Sequence, residues 1–78
     1  MIFPKCQEIS LARIFSGLSM RELARRAGIN IGTVSRLESS RQSVTPKTAK
    51  AICDALNRNL NDLFLIDLED HKNESTTT

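Results

Sequence analysis

Ser19-Met20-Arg21-Glu22-Leu23-Ala24-Arg25-Arg26-Ala27-Gly28-Ile29-Asn30-Ile31-Gly32-Thr33-Val34-Ser35-Arg36-Leu37-Glu38 is the stretch whose reading decides the fold. Ser19 followed three residues later by Glu22 forms a capping box. The Ser side chain accepts from a backbone N–H and the Glu reaches back to the cap, which opens a helix running through Ala27. Gly28 closes that helix after barely two turns, since glycine enters the left-handed region without steric cost. Asn30 is a second N-cap, opening a helix that ends near Glu38 or Ser39, with Val34 and Leu37 turned inward and Ile29 just ahead of it. Helix, glycine turn and helix therefore follow one another within twenty residues. Ala24 is small where two such helices must cross closely.

The outward face of the second of these helices is unusual. A solvated helix surface is normally furnished with Glu and Lys, which are good helix formers and keep a surface soluble. Here the face is Asn30, Ile31, Gly32, Thr33, Ser35 and Arg36: short, mostly uncharged and able to hydrogen-bond. A helix enters the major groove of DNA when its leading side chains are small enough for close approach and carry donors or acceptors for base edges. Thr33 and Ser35 supply both, Arg36 can pair bidentately with guanine, Ile31 can touch a thymine methyl, and Gly32 leaves room for the backbone. The competing reading is a plain polar solvent face weakened by a mid-helix glycine, at a cost of about 0.5–1 kcal/mol relative to alanine.

Working outward, the spacing predicts a first helix from about Pro4 to Ser16, stopped by Gly17. Ser39 to Ser43 is polar and reads as a surface loop. Thr45 and Pro46 restart the chain as N-cap and first helical residue. Ala49, Ile52, Cys53 and Leu56 follow at i, i+3, i+4 and i+7, the stripe of an amphipathic helix. Asn57 suits a left-handed helix end, and Asn59 caps a last short helix carrying Leu60, Leu63 and Phe64. The fold class expected is all-α, a compact five-helix domain over residues 1–68. Residues 69–78 are too polar to bury anything and read as a disordered tail.

Seventy-eight residues, 40% of them hydrophobic and 26% charged, are enough for one core. A chain this short buries only about 60% of the surface its unfolded form exposes, which favours association. The formal charge of +2 is a sum of unlike parts. Residues 20–50 hold seven cations against two anions, +5, and residues 59–78 hold one cation against five anions, −4. The result is a basic head and an acidic far end, an asymmetry that orients a molecule toward a polyanion. Arg25 and Arg26 have no acid at i+4, so pairing along their own helix does not account for them.

No apolar run is long enough for a membrane span, and the first residues lack the apolar segment and small-residue cleavage site of a secretory signal, so a cytoplasmic protein is expected. Cys6 and Cys53 form no CxxC pair and have one histidine, His71, for company. Neither a metal site nor a disulfide framework is expected, and both thiols read as small hydrophobes. His71 in the tail, Cys6 near the other end, and the lack of paired carboxylates or a glycine-rich phosphate loop argue against an enzyme. No cofactor is expected.

Residues 19–29, with Val34, Ser35, Arg36, Leu37 and Glu38, resemble the helix-turn-helix of the phage repressor and Cro family, the XRE-like DNA-binding regulators. The resemblance covers about residues 7–66, because the family's fourth and fifth helices match Thr45–Leu56 and Asn59–Phe64. It implies a helix-turn-helix at helices two and three and double-stranded DNA as partner. It implies base reading by Asn30, Ile31, Gly32, Thr33 and Arg36, phosphate contacts by Ser19, Arg41 and Ser43, to which the flank position of Arg21 adds a fourth, and a structural ion pair between Arg13 and Glu38. The sequence departs from the family at three places: Met20 stands for a common Gln, Ser40 for a glycine, and Arg58 for an apolar residue.

The function expected is sequence-specific regulation of transcription, as a repressor, by a nucleoid-associated protein. The alternative is an antitoxin-type module that uses the same fold to bind another protein. Leu11, Ile14, Phe15 and Leu18 in the first helix, and Leu65, Ile66 and Leu68 after the last, carry more apolar surface than their helices can bury internally. The C-terminal set is the expected surface of a homodimer, and a two-fold pair suits half-sites one helical turn apart.

Overall fold

A computed structural model describes residues 1–67. Five helices and one short two-stranded sheet make up this part of the chain: β1 (Ile2–Pro4), α1 (Cys6–Phe15), α2 (Met20–Ala27), α3 (Ile31–Ser39), α4 (Pro46–Leu56), α5 (Leu60–Leu63) and β2 (Phe64–Ile66). The expected tail and Leu68 lie outside the described residues.

The helix boundaries follow local chemistry. Ser19 Oγ accepts from Glu22 N at 3.1 Å and Glu22 Oε1 accepts from Ser19 N at 3.4 Å, completing the capping box of α2. Asn30 Oδ1 accepts from Gly32 N at 2.7 Å at the head of α3. Thr45 Oγ1 accepts from Thr48 N at 3.3 Å at the head of α4, with Pro46 in its first turn. Three helices end by one device, in which a left-handed residue turns the chain and the next N–H reaches back five positions. The bonds are Leu18 N to Arg13 O around Gly17, Ile29 N to Ala24 O around Gly28, and Arg58 N to Cys53 O around Asn57, at 3.0–3.1 Å. Gly28, at φ +69°, makes the turn between α2 and α3.

The first helix starts later than its periodicity suggests. A first helix from Pro4 to Ser16 is corrected to Cys6–Phe15, because Ile2–Pro4 is extended and pairs antiparallel with Phe64–Ile66 in the register Ile2 to Ile66, Phe3 to Leu65 and Pro4 to Phe64. The residue before a proline is pushed out of the helical region, which extends Phe3. Lys5 N donates to Leu63 O and Asp67 N to Met1 O, so Pro4 falls at the intervening position, where no donor is required. Phe64 correspondingly belongs to β2 and not to the last helix. The sheet is a small addition to an otherwise helical domain.

The core is one cluster in which Ile9 and Ala12 of α1, Leu23 and Ala24 of α2, Val34 and Leu37 of α3, Ala49, Ile52, Cys53 and Leu56 of α4, and Leu63 and Phe64 meet, together with Leu18, which lies beyond the end of α1 and is buried, not surplus surface of the first helix. Every helix contributes one face to it, and α3 packs on both α1 and α2. Ile66 is half-buried in β2 while Leu65 points outward. Met20 is half-buried against the core, which explains how an apolar side chain serves where the family commonly has Gln. Ser40 follows α3 at φ −128°, an extended conformation that places no demand for glycine.

Candidate nucleic-acid interface

The orientation of α3 is set by a single guanidinium. Arg13 Nε donates to Glu38 Oε2 at 2.7 Å and Nη2 to Glu38 Oε1 at 3.1 Å, while Nη1 donates to Leu18 O at 2.8 Å. One planar fork thus ties α1, the entry to α2, and the far end of α3. Ser10 Oγ donates to the same Glu38 Oε1. With its side chain only 4% exposed, Glu38 is a nearly buried carboxylate whose charge is matched and whose oxygens are occupied. Ser10 carries no signal of this role in the sequence, because only the packing of α1 on α3 brings it within reach.

Val34 and Leu37 hold the inner face of α3. Gly32, Ser35, Arg36 and Ser39 recur at i, i+3, i+4 and i+7 and share the outer face, with Ser35, Arg36 and Ser39 exposed. Ser39, at the expected end of the helix and the start of the polar loop, belongs to this stripe; its Oγ donates to Ser35 O at 2.7 Å. Arg36 Nη2 donates to Thr33 Oγ1 at 3.4 Å, a loose contact that lays the guanidinium along the helix toward its N-terminus. Ile31 is exposed at the leading end. Asn30 is engaged as the cap through Oδ1, which leaves its Nδ2 as the group free to donate. A Cβ at Gly32 would come within 3.1 Å of Asn30 Oδ1, so the glycine also makes room for the cap.

The expected phosphate contacts do not all share one surface: Ser43 lines a cleft with Thr33 and Arg36 of α3, whereas Arg41 lines a depression with Phe3, Glu8 and Leu65. Ser19 and Arg21 stand at the start of α2, and Arg41 and Ser43 in the loop after α3, all exposed. Thr33 and Arg36 of α3, Gln42 and Ser43 of the loop, and Thr45 and Thr48 at the start of α4 line one open cleft of about 490 Å³. Backbone N–H groups at helix N-termini are anion-binding, so the heads of α2 and α4 add to the cations. Arg25 Nη2 lies 3.8 Å from Glu22 Oε2, a partner one turn back and not at i+4; both side chains are largely exposed and the contact is loose.

Away from this face, Cys6 and Cys53 are free thiols. Burial, with the neighbouring Asp54 charge, pushes the Cys53 thiol up. Among the described residues no group of three or more His, Cys, Asp or Glu side chains could hold a metal ion. No helix among them is long and apolar enough to cross a membrane.

Two short helices at a glycine turn, the second presenting a small polar face flanked by cations, define a helix-turn-helix DNA-binding domain. A sequence model of the helix-turn-helix family matches residues 9–63, and the chain belongs to that family, of the XRE type. It is a DNA-binding regulator of transcription. A solved structure, that of the clp gene regulator ClgR from C. glutamicum, is similar at 29% identity with a TM-score of 0.62, over 70% of this chain and 71% of that one. No curated protein matches the sequence.

Proposed function

We propose that the chain is a sequence-specific repressor that inserts α3 into the major groove of double-stranded DNA and acts as a homodimer on a two-fold site. The observation that carries this reading is the outer face of α3, where no acidic side chain stands and one Arg sits among hydroxyls and a glycine. Such a face approaches base edges closely and offers them donors and acceptors. Base contacts come from Asn30, Ile31, Gly32, Thr33 and Arg36, with Ser35 and Ser39 on the same stripe. Phosphate contacts come from Ser19, Arg21, Arg41 and Ser43, which fix register and carry no sequence information.

Selection of bound sequences from a random DNA pool, followed by anisotropy titrations on the selected and scrambled sites, tests the proposal. Arg36→Ala should cost about 1–3 kcal/mol on the selected site and relax preference at one base pair, while Arg41→Ala should weaken both sites by a similar factor. Affinity should fall steeply with salt, with a log–log slope of about −0.9 per phosphate neutralised. Identical behaviour of the two variants on both sites would place base reading elsewhere than α3. No binding of any duplex by micromolar protein at low salt would defeat the proposal outright.

A further inference from the structure

The outer face of α1 is the largest feature that DNA reading leaves unused. Leu11, Ile14 and Phe15 are 38%, 57% and 76% exposed. They sit at i, i+3 and i+4, one face of the helix, turned away from Ile9 and bordering the core at Ala12. Among the described residues no other surface gathers three large apolar side chains at helical spacing. Leu65, the exposed member of the C-terminal strand, has no such neighbours on its own element. A three-residue apolar patch on a chain of marginal size is a surface awaiting a partner.

The rim of the patch says which partner. Glu8, Arg58 and Asp62 line one shallow depression with Leu11 and Phe15. Asp62 accepts from Asn59 N and keeps its negative charge, and Glu8 and Arg58 are exposed and make no ion pair with any described residue. An apolar centre bordered by charges of both signs, Glu8 and Asp62 against Arg58, can meet a second copy of itself with opposite charges facing. A partner of a single sign would leave one of the two signs opposed by its like. A two-fold contact repeats every pairing twice, residue i to j and j to i, so Glu8 of each copy can meet Arg58 of the other. Ser10 and Arg13 point toward α3 from a different side of α1, so the patch stays open while α3 is engaged.

We infer that the outer face of α1, through Leu11, Ile14 and Phe15 with Glu8 and Arg58 at its rim, is the contact between two copies of this chain. The inference rests on the repressor reading for the use of the pair, but the pairing itself is measured without DNA. A ten-residue helix is only about 15 Å long, so the contact falls short of the ~800 Å² per partner of a standard interface. Self-association in the micromolar range is therefore expected.

Sedimentation equilibrium of the full chain, from low micromolar to several hundred micromolar and without DNA, provides the test. The chain should pass from monomer to dimer across that range. Phe15→Glu should weaken the dimer about tenfold or more while leaving the circular dichroism spectrum and melting unchanged, because the side chain is largely outside the core. Arg58→Glu should weaken it several-fold, and adding Glu8→Arg should restore it. Leu65→Glu should have no effect. A chain that stays monomeric throughout overturns the inference, as does a dimer indifferent to Phe15→Glu. Loss of the dimer in Leu65→Glu instead would also overturn it and move the contact to the C-terminal strand. Each result holds whether or not the protein binds DNA.

Discussion

Glu38→Ala is the perturbation whose size the structure predicts most directly. The carboxylate accepts three hydrogen bonds, two from Arg13 and one from Ser10, and its side chain is 4% exposed against 15% for Arg13. Removing one member of a buried pair strands the other, at a typical cost of about 3–5 kcal/mol. Arg13 keeps its bond to Leu18 O and a little water, which favours the low end, about 3 kcal/mol. At about 0.05–0.15 kcal/mol per residue the whole domain has only some 4–12 kcal/mol to lose. The melting temperature should therefore drop by about 12–24 °C. Glu38→Gln keeps the shape and one acceptor but not the charge, and should cost about 1–2 kcal/mol. The double replacement Arg13→Met with Glu38→Met removes both charges together and should cost about 1 kcal/mol or less, because two unpaired charges no longer have to be buried. Urea denaturation monitored by circular dichroism measures all of these. A Glu38→Ala loss below about 1 kcal/mol, or a double variant as damaged as the sum of its singles, would refute the assignment of this pair as the brace of α3.

Other outcomes follow from local geometry. Gly28→Ala forces a Cβ onto a residue at φ +69° with no heavy atom within 4 Å of that Cβ, so the cost is conformational strain alone, about 1–2 kcal/mol by thermal denaturation. Ser19→Ala removes the acceptor for Glu22 N and should cost about 1 kcal/mol, with a loss of DNA affinity beyond the stability change if its hydroxyl also meets phosphate. Alkylation by iodoacetamide at neutral pH, followed by mass spectrometry, should modify Cys6 well before Cys53, whose thiol is buried and held in its neutral form. Equal rates at the two cysteines would show that α4 opens far more readily than its packing suggests.

The elements that the sequence made legible are those whose ends are written in one or two residues. Ser19 with Glu22, Gly28, Asn30, Thr45 with Pro46, and Asn57 each satisfy or turn the backbone by their own chemistry, and the helix ends fall on them. The two strands were not legible, because each is three residues long and finds its partner some sixty positions away. The local clue was Phe3 ahead of Pro4, a dipeptide biased toward extension that periodicity outweighed. Ser10 escaped notice for a similar reason: a serine on an amphipathic helix has no distinguishing spacing, and its role depends on the crossing of α1 over α3. Ser39 stands at the expected helix end and among polar loop residues, and only the last helical residue sets it in line with Gly32, Ser35 and Arg36. Arg25 finds its acid on the N-terminal side, where Glu22 serves first as a cap.

The brace and the reading face are better understood as one device than as two. A nine-residue helix is too short to persist in water on its own, so α3 owes its existence to what holds it. Its inner face gives it two core residues, Val34 and Leu37, and its outer face is kept free of packing so that it can be small and polar. That division leaves rotation about the helix axis weakly determined by hydrophobic contact, which is non-directional. Directional bonds supply what is missing: Asn30 fixes the leading end through Gly32 N, and Glu38 fixes the trailing end through Arg13 and Ser10. The glycine that lets a backbone approach a base is the same residue that lets the Asn30 cap close. A carboxylate at the C-terminal end of a helix opposes the helix dipole, and the Arg13 guanidinium offsets that while keeping the negative charge away from the outer face. The region of +5 charge can therefore meet a polyanion with its single buried acid already neutralised.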